Sequence, residues 1–529
     1  MIFIIDLYFF ERVSILWYED RELINLSMQH DNAMDNEDIS LMKELIEKSI
    51  QNGNNIDNHP MVRAHHYYNA ATTIGDLTNL LPVEERRVEE SLEKSLFLFR
   101  ESISLQEEYH KAPQTMDLQE CGYCNSLYNS SIVNYSNVLS GVGRVSSAIQ
   151  EIKKVAKEGF SMAVGNLGGY LKHYAQIDYD TSHKTFFIYE MLLLMKYAIK
   201  NKDNSLHSLA EESFKKDIEE NIQCFEGKTI DSIETDKIIL FKEFDLIDWS
   251  DHDIDEELRY QNWKVYNSLV LNTLNDYDIS ANRDNDVLHL PSMLRPLKEK
   301  LPVYSGLFNQ IKQIYCSARY FIFDGIYNKK VHFSDKEVYL VNMYDYPVYS
   351  INIEKIKAGY RAIYSLLDTI AYFLNEYFDL GKNRNRVSFN NIWTFNNNDG
   401  NTIFDLSPNN YLLQALYWIK KDIYNETKSE YKGKINVKLD RAYQIRNSME
   451  HRYLKIVAPW YFYEHDNSDE LADLIVDRLE FEELSVELLK IVREAIILLT
   501  QIIYFEENTK DDQLAFPITV DRYYDEWKL

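Results

Sequence analysis

Glycine and proline are scarce in this chain, which has 16 Gly and 10 Pro among 529 residues. Together they make up about 5% of the chain, against roughly 12% in an average protein. Tight turns depend on these two residues, and β-sandwiches, barrels and propellers need many tight turns. The scarcity therefore argues against these all-β classes and against Gly-rich phosphate-binding architectures. It favours a mostly helical fold.

Cysteines and long apolar runs are also few. Four cysteines in 529 residues cannot form a disulfide scaffold, and their number suits a reducing cytosol. Beyond the N-terminus, no run approaches the 18 or so apolar residues of a membrane-spanning helix. We therefore expect a soluble, cytoplasmic protein that does not contact a membrane.

The first twenty residues, MIFIIDLYFFERVSILWYED, superficially resemble a targeting segment. They lack a basic start and a small-residue cleavage site, and Asp6, Glu11 and Arg12 interrupt the apolar run. We interpret them as an amphipathic first helix, while Met28 or Met34 remains possible as the true start.

Positive charge is in deficit as well. The chain has 57 Lys and Arg against 84 Asp and Glu, a net charge of −27. Such a charge disfavours sequence-independent binding to duplex nucleic acid, although it does not exclude a local basic site.

The hydrophobic fraction of 45% provides ample material for a packed core, which excludes general disorder.

The N-terminal half reads as a helical arm at 1–55, followed by consecutive helices at 56–200. Within the second part, the segment from Asn134 to Leu139 recurs 32 residues later, from Asn166 to Leu171. A period near 33, with small residues where helices cross, resembles degenerate tetratricopeptide repeats, whose stacking forms a concave groove. The alternative is an irregular helical bundle.

The rest of the chain divides into three parts. Residues 201–300 form an acidic helical connector and a docked Asn- and Leu-rich segment, residues 301–510 a helical bundle, and residues 511–529 a tail. The stretch 331–350 has strand character. Periodicity predicts the bundle helices at 303–327, 353–380, 409–426, 436–458 and 470–505.

The helix predicted at 436–458 carries the most informative pattern. Its apolar stripe places Arg446 in the middle of a buried face, where an unpaired guanidinium would be costly. The full stripe is Leu439, Ala442, Tyr443, Arg446, Met449, Tyr453 and Ile456. On the adjacent flank, Asn447 and His451 lie four residues apart, so that the amide can orient the imidazole.

These residue types suit cleavage of single-stranded RNA without a metal. His451 can take a proton from a 2′-hydroxyl, and Arg446 can bind the phosphate and stabilise the charge of the transition state. The alternatives are an ion pair of Arg446 with Glu450, or with a carboxylate across the bundle, and an ordinary surface role for His451.

A local excess of positive charge surrounds the motif. Residues 431–460 contain seven Lys or Arg and two acidic residues, which is a net charge of +5. A second basic cluster follows Gly381. The predicted RNA-binding residues are Lys438, Arg441, Arg452, Tyr453, Lys455, Lys382, Arg384 and Arg386.

The sequence from Arg446 to His451, RNSMEH, resembles the Arg-polar-x-x-x-His motif of HEPN-superfamily ribonucleases. Three further segments resemble those of a large bacterial HEPN family with a repeat-like helical N-terminal half: YSLLDTIAYFLNEYFDLG, LNTLNDYD and VLHLP. The resemblance spans about 260–505. It implies an all-α fold, a metal-independent endoribonuclease, dimerisation that joins two motifs, and a toxin or anti-phage role.

Residue by residue, the resemblance assigns Arg446, Asn447 and His451 to catalysis. Asp368, Asn375 and Glu450 are supporting candidates. No cofactor and no metal are expected. The expected partners are single-stranded RNA, a second copy of the chain, and a protein partner or trigger at the repeat-like region. The alternative function is a non-catalytic helical scaffold that binds a protein or nucleotide through that groove.

Overall fold

A computed structural model of the chain provides its three-dimensional structure. It describes residues 17–82, 88–111, 116–225, 237–280, 283–296, 303–328, 330–341, 346–394, 402–424, 437–460, 471–510, 515–517 and 525–528. Within these residues the chain has 16 α-helices and four short strands, which confirms the all-α class. Residues 1–16, where we predicted an amphipathic helix, lie outside the described residues.

The N-terminal half is a succession of helices in which each packs against the next. The acidic side chains of Asp20 and Asp38 cap the first two helices by accepting hydrogen bonds from their first turns. A tetratricopeptide assignment stays a prediction. The helices are α1 (Arg21–Asp35), α2 (Ile39–Asn54), α3 (Pro60–Leu80), α4 (Val88–Lys111), α5 (Leu118–Gly141), α6 (Val145–Ala156), α7 (Ser161–Ile177) and α8 (Thr181–Lys200).

The two similar segments, 134–139 and 166–171, contact each other in the structure. Asn166 Nδ2 and the Tyr170 hydroxyl both donate to Asn137 Oδ1, at 3.1 and 2.6 Å, and thereby join α7 to α5. A Cβ at Gly168 would lie 3.0 Å from Met195 Cγ, so α7 and α8 approach closely there. Small residues at the helix crossing were expected from the sequence.

The connector contributes α9 (Ser208–Asn221), α10 (Glu256–Tyr266) and a buried irregular segment at 268–278. Asp276 in this segment is fully buried and accepts hydrogen bonds from Ser146, Tyr174 and Arg493. The segment is thus held between N-terminal helices and the C-terminal bundle.

The C-terminal bundle consists of α11 (Val303–Tyr327), α12 (Ile351–Tyr377), α13 (Ile403–Leu406), α14 (Tyr411–Ile423), α15 (Val437–His451) and α16 (Arg478–Asn508). Helix α12 packs against α11, α15 and α16. A Cβ at Gly359 would lie 2.8 Å from the carbonyl oxygen of Ala318, so α11 and α12 touch at backbone level. Among the described residues, no helix combines the length and apolar character needed to cross a membrane.

Two of the predicted helices, 436–458 and 470–505, include residues that form strands in the structure. Helix α15 ends at His451, and β2 (Leu454–Val457) pairs in parallel with β3 (Leu474–Asp477). The short, mostly apolar segments LKIV and LIVD fit a buried strand as well as a helix, and the pairing between them decides the outcome. Asp477 ends β3 and caps α16 by accepting from the Leu479 amide at 2.7 Å.

The strand expected at 331–350 is wrong for the described part of that range. It contains a 3₁₀ turn at Phe333–Asp335 and one bridge, from Pro347 to Val457. Val348 N donates to Ile456 O at 2.8 Å, so the segment lies along β2 without forming a strand. Elsewhere, β1 (Leu294–Pro296) pairs antiparallel with β4 (Ala515–Pro517).

A buried charge network joins the two halves of the molecule. Arg144, at the start of α6, donates to Asp422 of α14 and, at 2.7 Å, to Glu494 of α16. Arg100 of α4 donates to both oxygens of Asp422, at 2.8 and 3.0 Å. Burial alone would raise the pKa of Asp422, but Arg100 and Arg144 hold it below its usual value. We call Arg100, Arg144, Asp422 and Glu494 the buried charge network.

We expect Arg144→Met to lower the free energy of unfolding by about 3–5 kcal/mol, because it leaves Glu494 buried without its cation. Urea unfolding followed by circular dichroism measures the change. Arg384→Met is the control, since its pair with Glu376 is solvent-exposed and the substitution should leave stability nearly unchanged. Equal stability of the two variants would contradict the role of the network.

Three histidines lie inside the N-terminal helices. The ring nitrogens of His30 contact Thr73 Oγ1 at 2.6 Å and Ser49 Oγ at 2.8 Å. Burial lowers the pKa of His30, His65 and His66 to about 4 each. All three are therefore neutral in the folded chain at pH 7.

We expect the free energy of unfolding to fall as the pH drops from 7 to 5. The unfolded chain binds protons at the ordinary histidine pKa near 6.5, whereas folded His30 does so only near 4. Each such histidine costs about 1–2 kcal/mol by pH 5. His30→Gln should reduce this pH dependence and His207→Gln, at an exposed position, should not. A pH-independent stability would refute the assignment.

Candidate active site

Helix α15 carries the predicted motif, but Arg446 is not in the middle of its apolar face. Tyr453 and Ile456, the last two residues of the predicted stripe, lie beyond the end of the helix. Within the helix, Tyr443 is exposed. Arg446 is half-buried at the edge of this face. The residues that fill the face are Leu439, Ala442, Ile445, Ser448 and Met449.

Arg446 is held by uncharged groups. Its Nη1 donates to Asn447 Oδ1 at 3.0 Å, and its guanidinium carbon lies 5.4 Å from the centre of the Tyr364 ring. The alternative pair with Glu450 is absent, because Glu450 pairs with Arg361 at 3.2 Å. No carboxylate of the described residues is within salt-bridge distance of Arg446. Its remaining donors are therefore available to an anion.

His451 is the last residue of α15 and is exposed. The expected contact with Asn447 is not found in the described part of the chain, because the Asn447 oxygen binds Arg446 instead. Asp473 fixes this helix end by accepting from the Ser448 hydroxyl and from Arg452. These two bonds lower the pKa of Asp473.

Three tyrosines lie beside Arg446. Tyr364 contacts Tyr424 edge to face at 6.2 Å between ring centres, and Tyr424 contacts Tyr443 in the same manner at 5.9 Å. Burial raises the pKa of Tyr424 to about 12. The predicted supporting residue Asp368 lies one helical turn after Tyr364 on α12. Burial raises its pKa, and the Phe389 amide and the charge of Arg446 offset part of that rise.

Asn375 is not part of the site. It is seven residues beyond Asp368, about 10 Å along the helix axis. Its Oδ1 accepts from the Lys382 amide at 3.1 Å and its Nδ2 donates to the Lys382 carbonyl, so it fastens the loop after α12. A structural role explains its burial.

Most of the predicted RNA-binding cations are already engaged within the protein. Arg441 donates to Glu480 at 2.9 Å, Arg452 to Asp473 and Arg384 to Glu376, while Lys382 donates to Asn391 O at 2.7 Å. The remaining candidates differ in exposure: Lys455 is 5% exposed, Tyr453 is half-buried with its hydroxyl 3.2 Å from that of Tyr349, and Lys438 and Arg386 are exposed. Lys432 and Lys434 lie outside the described residues.

Tyr424, the residue that follows α14, was not predicted from the sequence. Its place in the site depends on how α14 packs against α15, and no local pattern signals that packing. Among the described residues, no cluster of three or more His, Cys, Asp or Glu side chains could hold a metal ion.

The C-terminal helical bundle and the motif from Arg446 to His451 indicate which class of domain this half of the chain forms. Residues 297–506 form a HEPN domain, as the sequence predicted. More particularly, they match the family described as LA2681-like HEPN. The match covers α11 to α16 and includes Arg446, Asn447 and His451. No curated protein and no solved structure matches the chain significantly.

We expect Asp473→Asn to loosen the end of α15, because it removes the charge that binds Ser448 and Arg452. Hydrogen exchange measured by mass spectrometry over 446–453 should become roughly 10-fold faster. Asp405→Asn, which alters the distant cap of α13, should leave that peptide unchanged. Unchanged exchange in the Asp473 variant would show that the end of α15 is held by other contacts.

Proposed function

We propose that this protein is a metal-independent endoribonuclease that cleaves single-stranded RNA by attack of a 2′-hydroxyl on the neighbouring phosphate. The observation that carries the proposal is the Arg446–His451 motif at the end of α15, within a domain that matches the HEPN family. Homodimerisation through this domain would bring two motifs into one cleft.

Arg446 is suited to bind the scissile phosphate. It rests on Tyr364 and bonds only to an amide oxygen among the described residues. A guanidinium without a carboxylate partner keeps its charge and donors for a phosphate, and both gain strength as charge builds in the pentacoordinate transition state. Asn447 acts here as the residue that orients Arg446.

His451 supplies the proton transfer. The imidazole takes the proton of the 2′-hydroxyl while its oxygen forms a bond to phosphorus, and the bond from phosphorus to the 5′-oxygen breaks. A protonated imidazole, supplied by the second copy of the motif, gives its proton to the leaving oxygen. The products are a 2′,3′-cyclic phosphate and a 5′-hydroxyl. The exposed position of His451 supports access by RNA.

The N-terminal helices are the proposed receiver of a trigger or protein partner, in a toxin or anti-phage defence role. The buried charge network supports coupling between the halves, because Asp422 precedes Tyr424 of the site by two residues. A cytoplasmic location stays a prediction.

We expect the purified chain to cleave single-stranded RNA in the presence of EDTA. Arg446→Ala and His451→Ala should each reduce the rate by about 10²–10⁴-fold without changing the thermal unfolding temperature, since they remove charge stabilisation and proton transfer. Mass spectrometry of the products should find 2′,3′-cyclic phosphate ends.

Matched controls are Arg478→Ala, which removes a half-buried arginine paired with Glu482, and His207→Ala, at an exposed position. Both should cleave as the wild type does. Equal activity of the motif variants would refute the catalytic assignment, and 5′-phosphate products would refute the mechanism. Loss of cleavage in EDTA would refute metal independence.

A further inference from the structure

A carboxylate and three aromatic rings adjoin the proposed phosphate-binding arginine. Tyr364, Tyr424 and Tyr443 form a continuous row of edge-to-face contacts, and Arg446 lies over the first ring. Asp368 lies four residues after Tyr364 on α12, and Tyr443 lies three residues before Arg446 on α15, so both adjoin the contact between Arg446 and Tyr364. We call Asp368 with these three tyrosines the aromatic–carboxylate cluster.

Asp368 is placed for contact with a ligand. It is half-buried on α12, and its Oδ1 accepts from the Phe389 amide at 2.9 Å, which fixes the carboxylate plane. Among the described residues, nothing donates to its Oδ2 and no cation is within salt-bridge distance. Burial raises the pKa of Asp368, and the Phe389 amide and the charge of Arg446 offset part of that rise. A fixed carboxylate with an available oxygen favours a partner that donates hydrogen bonds.

The cluster also offers a stacking surface. Tyr443 is 37% exposed, whereas Tyr364 is 4% exposed and serves as the support for Arg446. An edge-to-face contact leaves at least one face of each ring uncovered by its partner. A planar group can therefore stack on Tyr443, beside the contact between Arg446 and Tyr364.

The chemistry of the cluster selects a nucleobase rather than a backbone phosphate. A carboxylate repels phosphate, and the adjacent Arg446 attracts it. Among the four RNA bases, guanine alone presents two adjacent N–H donors, N1–H and the 2-amino group, on its Watson–Crick edge. A carboxylate can accept from both at once, and single-stranded RNA exposes this edge.

We propose that Asp368 and Tyr443 form a guanine-binding subsite, in which the base stacks on Tyr443 and donates to the Asp368 carboxylate while a neighbouring phosphate binds Arg446. This inference rests on the proposed ribonuclease function and defines its substrate as RNA with guanine beside the cleaved bond. Tyr424 is a positioning residue, because it packs against both Tyr364 and Tyr443.

Binding to the His451→Ala chain tests the subsite without cleavage. Fluorescence anisotropy would compare labelled UUGUU with oligonucleotides that carry adenine, cytosine or inosine at the central position. We expect guanine to bind about 10- to 100-fold more tightly than adenine, with inosine between them because it lacks the 2-amino donor.

Substitutions in the same background assign the contacts. Asp368→Asn keeps an acceptor for Phe389 but should abolish the preference for guanine over adenine. Tyr443→Ala should weaken all oligonucleotides by about 5- to 100-fold, because stacking does not depend on the base. Asp440→Asn is the matched control; its carboxylate on α15 accepts from Gln444 at 2.8 Å, and the substitution should change neither quantity.

The outcomes separate this proposal from the ribonuclease proposal. Equal affinity for guanine and adenine, or a preference that survives Asp368→Asn, overturns the subsite even when the chain with His451 cleaves RNA. A guanine preference lost in Asp368→Asn supports the subsite even when no RNA is cleaved, and then only the catalytic proposal fails. Absence of binding to every oligonucleotide overturns both.

Discussion

The contact between Arg144 and the two carboxylates Asp422 and Glu494 is the constraint on which the arrangement of the molecule depends. All three side chains are at most 3% exposed, and the carboxylates come from two helices of the HEPN domain. Ions removed from water need partners within hydrogen-bond distance. The N-terminal half must therefore sit where its arginines meet these carboxylates, and the connector is packed around the same junction.

The same junction reaches the candidate site through one helix. At the end of α14, Lys421 pairs with Glu93 of α4, Asp422 pairs with Arg100 and Arg144, and Tyr424 contacts Tyr364. Residues 421 and 422 thus form ion pairs with the N-terminal half, and Tyr424, two residues later, belongs to the candidate site beside Arg446. The position of that ring is thus determined by contacts outside the HEPN domain as well as inside it.

Periodicity predicted the all-α class and the bundle helices, and the residues from Arg446 to His451 predicted the HEPN domain. The pair β2–β3 was missed because each strand has only four residues and pairing between distant segments stabilises it. The intramolecular partners of the local basic residues could not be predicted for a similar reason. Glu480 and Asp473, which pair with Arg441 and Arg452, follow 20 to 40 residues later and meet them only after folding. Tyr424 likewise depends on packing.

Gly143, directly before Arg144, limits how the sequence at the contact between the two halves can change in evolution. Its φ of +83° favours glycine, and a Cβ there would lie 2.9 Å from Cβ of Ala415 in α14. A HEPN domain transferred by gene fusion to an unrelated helical array would lose this fitted surface and carry two buried anions without counterions. The two halves of this chain are therefore constrained to be inherited together, and substitutions on one side of the junction should covary with those on the other.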